Sequence, residues 1–214
     1  MSSFITDLRH SFRVLGKSPG FAAAALVVLA LGIGANTAIF SIVYGVLLRP
    51  LPFEDPDRLV QLWHVPPQKS FPGRTRFALS AANYLDWEQQ NEVFESSAIY
   101  AFTRYRLSGN GEPQVLRAVR VEPTFFSVLG VKPLIGRATA AGDDEPDRAN
   151  VVVLSHGLWN TQFGADAGIV GRNITLDGQQ RTVIGVMPPT FAQPQGIMLW
   201  TPLVWAPAER EVRG

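Results

Sequence analysis

Apolar and polar positions divide the 214-residue chain into two unlike parts. Between Lys17 and Arg49 there is no Asp, Glu, Lys, Arg or His, a run of 31 residues whose core is 21–48. About 20 consecutive apolar residues suffice to cross a bilayer, so residues 20–49 are predicted to form one transmembrane helix, long enough to tilt or to project past an interface. Its polar residues, Asn36, Thr37, Ser41 and Tyr44, lie in its second half. Gly34, Ala38, Ser41 and Gly45 recur at i, i+4, i+7 and i+11, which places small side chains on one helix face. Such a face lets another membrane helix approach closely; the alternative is that small residues are merely common in an Ala-rich run. Ahead of the span, Phe4, Ile5, Leu8, Phe12 and Leu15 recur at helical spacing with Arg9 and Arg13 on other faces. Residues 1–19 therefore read as a cytoplasmic segment with a short amphipathic helix on the membrane surface, broken from the span by Pro19 and Gly20.

Residues 50–57 are a Pro-rich, acidic exit, and beyond them strand-like and helix-like pieces alternate. Residues 59–65 read as a strand. Ser80 is a suitable N-cap for a helix to about Asn91, with Tyr84, Leu85 and Trp87 near its apolar side. Residues 97–107 and 114–121 read as strands joined through Asn110 and Gly111, a hairpin signal. A short helix over 123–129 is stopped by Gly130. A polar loop, 138–149, precedes a strand at 151–154 and a helix to about Phe163 capped by Ser155. Strands at 173–176 and 182–186 flank Asp177 and Gly178, a second hairpin signal. One more short strand is expected near 197–200. The pattern predicts an α+β domain over 50–214, built on antiparallel hairpins with packed helices, behind one transmembrane helix.

Charge fixes the expected orientation. Arg9, Arg13, Lys17 and Arg49 face a single acid, Asp7, before residue 50, whereas 15 basic and 17 acidic residues follow it. The positive-inside rule places the N-terminus in the cytoplasm and residues 50–214 outside, in a bacterium the periplasm. A cleaved signal peptide fits less well, because its apolar core runs only about 7–15 residues. Away from the N-terminus no basic patch for nucleic acid is present. Charged residues are 17% of the chain and hydrophobic ones 46%, which excludes a disordered tail. With no cysteine, thiol chemistry, Cys-ligated zinc and iron–sulfur clusters are excluded.

No coherent catalytic or metal set emerges, so the chain is expected to be non-enzymatic and to need no cofactor. His10, His64 and His156 lie far apart, outside any metal-binding spacing. Ser155, His156 and Gly157 lack the first glycine of a nucleophile elbow, since Val153 stands there. Asp143, Asp144, Glu145 and Asp147 lack the ligand order of a calcium loop. No phosphate-binding G-x-x-x-x-G-K-[ST] occurs. The tryptophans and phenylalanines read mostly as core, or as a partner surface where exposed.

Two blocks are specific enough to carry a likeness. The first is DLRHSFRVLGKSPGF followed by LALGIGANTAIFSIVYGVLLRPLPFEDPDRLV; the second is VEPTFFSVLGVKPLIGR followed by VVVLSHGLWNTQFGADAGIVGRNITLDGQQRTVIGVMPP. In order, and over nearly the whole chain, they resemble the N-terminal part of MacB-like ABC transporter permeases, closest in flavour to the duplicated permeases of acidobacteria. The resemblance implies a first transmembrane helix followed by a MacB-like periplasmic core domain, with FtsX-like helices to follow. The sequence stops before any second span, so a fragment, a truncated frame or a one-helix relative is expected. It further implies the bacterial inner membrane, and a helix that passes ATP-driven motion to the periplasmic domain for export or envelope remodelling. Partners would be other permease helices or subunits, a cytoplasmic ABC ATPase subunit, periplasmic proteins and the lipid bilayer, but no nucleic acid. The competing expectation is a single-span sensor or adaptor with an extracytoplasmic binding domain and no transport activity.

Overall fold

A computed structural model describes residues 17–44, 53–109, 111–191 and 193–211. The amphipathic segment 4–15, the small-face residue Gly45 and the turn residue Asn110 lie outside them. The chain forms two units, Met1–Leu51 and Pro52–Gly214.

In the first unit, helix α1 spans Pro19–Val43, 25 residues. Lys17 is helical and Ser18 is not, so the expected break falls there, and Pro19 opens α1 because the first turn needs no N–H from it. None of α1 is buried within the chain. At 1.5 Å per residue it is about 37 Å long, more than the roughly 30 Å of a bilayer core.

The second unit starts with a 3₁₀ turn, Pro56–Arg58, and continues with α2 (Ala81–Gln89), β1 (Tyr100–Ser108), β2 (Gln114–Val121), α3 (Phe125–Val128), β3 (Ile135–Gly136), β4 (Val151–Leu154), α4 (His156–Phe163), β5 (Asn173–Leu176), β6 (Gln179–Val186), β7 (Leu199–Pro202) and α5 (Pro207–Glu211). Both predicted serine caps act as such. Ser80 accepts from Asn83 N at 3.4 Å and Ser155 from Leu158 N at 3.2 Å. Gly164, left-handed at φ 60°, ends α4. The β5–β6 hairpin turns on Asp177 (φ 51°) and Gly178 (φ 79°). Two consecutive positive φ values give the turn whose twist matches the strands.

The seven strands run in the order β3-β6-β4-β7-β2-β1-β5, and β5 also pairs with β6. Those pairings close a ring of six strands, β6-β4-β7-β2-β1-β5, with β3 added beside β6. Two of them, β2–β7 and β4–β6, are parallel. The sheet is thus mixed, the expected β1–β2 and β5–β6 antiparallel hairpins being joined through two parallel pairings. Residues 155–178, between β4 and β6, and 122–198, between β2 and β7, supply the longer connections that parallel pairing demands.

Alternation along the strands sends side chains to two cores. Leu107, Leu116, Ala118, Val152, Leu154, Leu176 and Leu199 form one, closed by Leu158 and Trp159 of α4. Val119, Val121, Val153 and Trp200 form the other, with Phe125 and Phe126 of α3 and Phe191. In β6 a register shift opposite Val152 and Val153 lets Val183 and Val186, three apart, share the first core. The shift falls at Gly185, where a side chain would overlap the Arg137 carbonyl.

Three local expectations change. The strand over 59–65 does not form: among the described residues its only pairing is a bridge between His64 and Phe77, and it runs as an exposed arm. The last strand is displaced two residues onward, to Leu199–Pro202, where Thr201 and Pro202 pair with Arg120 and Val121. The two-residue β3 has no apolar run to announce it; Gly136, at φ 74°, lets it lie against Ile184 and Gly185.

Candidate functional site

The apolar helix is the first candidate. Gly34, Ala38 and Ser41 are exposed on α1. A Cβ added at Gly32 or Gly34 would meet nothing within 4 Å, so no contact inside the chain demands glycine there. Its polar groups are partly satisfied locally: Ser41 Oγ donates to Thr37 O at 2.8 Å and Asn36 Nδ2 to Gly32 O at 2.9 Å. That lowers the cost of placing them in hydrocarbon. A helix this apolar belongs in a protein core or a membrane, and here the chain supplies no core around it.

The second candidate is the arm, residues 59–79. Residues 64 and 77 exchange two backbone hydrogen bonds, at 3.1 and 2.8 Å. The tip is tied by Gln68, which donates to Arg74 O at 2.7 Å and accepts from Gly73 N at 3.3 Å. Val60, Leu62, Trp63, Val65 and Phe71 are nevertheless exposed. Arg76 lies over Trp63 and Arg74 over Phe77, at 5.9 and 6.0 Å from the ring centres.

A third group joins α2 to the end of β2. The hydroxyl of buried Tyr84 lies 2.6 Å from Glu122 Oε2, 3.0 Å from Glu88 Oε1 and 3.2 Å from Ser97 Oγ. Glu122 also accepts from Ile99 N at 3.1 Å. A phenol carries one proton and can donate to only one carboxylate. The second short contact is made good when a carboxyl is itself protonated. Burial pushes the Glu122 carboxyl above its ordinary value of 4.5; its bonds to Tyr84 and Ile99 oppose the rise, and the charges of Glu88 and Asp144 add to it. Burial raises the Tyr84 phenol as well, with Glu122 the next cause. No motif announces this cluster. Its only sequence signal was Tyr84 on the predicted inner side of α2.

At one end of the ring, Tyr105 OH and buried Thr201 Oγ1 are 3.1 Å apart, and the Arg181 guanidinium lies 5.4 Å from the Tyr105 ring centre. Arg181 Nη1 donates to Ala149 O at 2.9 Å. Tyr105, Arg181 and Arg120 line a depression of about 420 Å³. Arg120 is paired with Glu209 at 3.3 Å.

The remaining chemical candidates take structural places. Ser155 Oγ is engaged as a helix cap, and His156 packs edge-on against Trp159. His64 holds the bridge of the arm, and His10 lies outside the described residues. In the acidic loop, Asp143 accepts from both terminal nitrogens of Arg137 and from Ala140 N at 2.8 Å. Burial alone would raise its carboxyl; those bonds outweigh it and hold Asp143 below the ordinary 3.8. Among the described residues no group of three or more His, Asp or Glu side chains is gathered as a metal site.

The sequence family described as the MacB-like periplasmic core domain matches residues 22–213. The chain belongs to that family. The match runs from within α1 through the whole second unit, and it is a periplasmic domain of the ABC transporter permease family. No curated protein sequence matches the chain. Among solved structures, the chain is similar to the periplasmic region of MacB from Actinobacillus actinomycetemcomitans, at 20% identity and TM-score 0.48, over 65% of this chain and 62% of that one. It is also similar to the extracellular domain of YknZ, a noncanonic ABC-type transporter from Gram-positive bacteria, at 16% identity and TM-score 0.43, over 52% and 56%. The chain thus spans less than two thirds of either structure's length. A MacB-like periplasmic domain behind one bilayer-length apolar helix is the layout of a membrane-anchored protein with an extracytoplasmic domain.

Proposed function

We propose that this chain is a component of a MacB/FtsX-like ABC transporter permease in a bacterial inner membrane, with its N-terminus cytoplasmic and residues 50–214 periplasmic. The observation that carries the reading is α1: a charge-free, mostly apolar helix of 25 residues, none of them buried, at the start of a MacB-like domain match. In this account α1 packs through Gly34, Ala38, Ser41 and Gly45 on other permease helices. It passes motion from a cytoplasmic ATPase subunit to the periplasmic domain, which serves export or envelope remodelling with periplasmic partners. A rigid helix is suited to this, because it links two elements that each have discrete states. The chain does no chemistry of its own: Ser155, the nearest thing to a nucleophile, has its oxygen committed to a helix cap.

The test uses the full chain in native membranes. It is purified in mild detergent, with a spin label at position 93 on the domain surface. The reading expects an ATPase subunit to accompany the chain and vanadate trapping of nucleotide to change the label's mobility. A chain that purifies alone, with a label unmoved by nucleotide, contradicts it and favours the single-span sensor.

A further inference from the structure

The arm between the 3₁₀ turn and α2 is unlike the rest of the second unit. Residues 59–79 contain Lys69, Arg74 and Arg76 and not one Asp or Glu. None of the described ion pairs involves these three cations. Alongside them stand Val60 at 61% exposure, Val65 at 70%, and the exposed Leu62, Trp63 and Phe71. A soluble surface rarely groups this many large apolar side chains without a partner. Two of the cations lie over aromatic rings of the same arm, Arg76 over Trp63 and Arg74 over Phe77. Charge and apolar area are thereby presented together.

We propose that this arm is a membrane-contact element that docks on an anionic lipid surface. Aromatic and aliphatic side chains enter the interface, where Trp in particular is favoured, and Lys69, Arg74 and Arg76 meet lipid phosphates. Charge complementarity selects this occupant: each Lys or Arg near an anionic bilayer adds favourable energy, and no carboxylate within the arm cancels it. The sequence also places the arm shortly after a helix of bilayer length, and a tether of that kind raises the effective concentration of the second contact. Among the described residues the arm is held by one bridge, a Gln68-tied tip and one exposed side-chain bond to β1, from Gln61 Nε2 to Tyr100 OH at 2.9 Å, so little of the ring's own bonding depends on its position.

The inference rests on the reading of α1 as an inserted anchor, and the test separates the two. The chain has no cysteine, so single cysteines at Val65, Ile33 and Val93 report three places. Each variant of the full chain carries a fluorophore and is reconstituted in bilayers containing brominated lipid. The bilayers hold either phosphatidylcholine alone or about 30% phosphatidylglycerol, enough for a strongly anionic surface. The expected result is strong quenching at position 33 in both lipids and none at position 93, which is 85% exposed in the native chain. At position 65, quenching is at least about twofold stronger in the anionic bilayer. It falls to the neutral-lipid level in Lys69→Gln/Arg74→Gln/Arg76→Gln, whose surface substitutions leave the core intact. Quenching at 33 with an equally aqueous label at 65 in both lipids overturns the arm proposal and leaves the anchor standing. It would assign the arm to a protein partner. No quenching at 33 overturns both.

Discussion

Helix α1 and the strands of the ring are made of the same residue types, and they complete their burial in different places. Val119, Val152, Leu154 and Leu199 are fully buried by their own domain. Leu26, Val28, Leu31 and Ile33 are exposed. Apolar area is stabilising only when something removes it from water. The domain therefore carries its stability within itself, whereas the helix, in the function proposed here, draws its stability from lipid and from other helices. The arm stands between these cases, apolar and basic, outside the ring and without a covering element.

The contrast is most open to attack at the core. Leu154→Ala removes a wholly buried side chain and is expected to destabilise the domain by about 3 kcal/mol or more. Leu31→Ala in α1 leaves the same transition unmoved. Urea unfolding of both variants in micelles, followed by near-UV circular dichroism, reads the difference. Equal effects would mean that the helix is part of the domain's cooperative unit.

Glycines give a second contrast. Gly185→Ala places a methyl group against the Arg137 carbonyl, a backbone group that cannot step aside, and is expected to cost about 2 kcal/mol. Gly34→Ala meets nothing in its own chain and favours the helix by up to about 1 kcal/mol. Thermal unfolding separates the two. A neutral Gly185→Ala would contradict the close approach of β6 to residue 137.

Smaller effects come from two carboxyls with opposite pH behaviour. Glu122 is raised in the folded state. The stability it contributes is complete below its ordinary 4.5 and is lost as pH rises through the higher folded value. Asp143 is held low. Its contribution is present above 3.8 and is lost as pH falls through the lower folded value. Glu122→Gln should flatten the loss of stability on the alkaline side of pH 4.5, by about 1 kcal/mol. Asp143→Asn should destabilise at neutral pH by about 1–2 kcal/mol and flatten the acid side instead. Melting temperatures between pH 3 and pH 7 check both signs.

Much of the fold was legible because local signals and tertiary demand agree. Ser80 and Ser155 are caps in sequence and in space, and Asp177 with Gly178 sets a hairpin that no neighbour overrides. The long apolar helix was legible from the missing charges alone. Residues 59–65 misled for a physical reason: alternation predicts a strand, but a strand also needs a partner, and among the described residues this segment finds one only at the His64–Phe77 bridge. Closure itself was not legible, since it rests on β5 pairing with both β1 and β6 and on parallel contacts between strands distant in sequence. The Tyr84–Glu122 cluster was hidden likewise, its members lying 38 positions apart. Of the small-residue face, Gly34, Ala38 and Ser41 are exposed on α1.

The most direct test of the account is the topology of the full chain carrying a C-terminal tag. Membranes are washed at high pH, and spheroplasts are then treated with protease from outside. The account predicts a tag that stays with the membrane through the wash and is removed by external protease, with the chain at full length before treatment. A shortened, soluble, tagged product would contradict it, because α1 would then be a cleaved leader with nothing to couple.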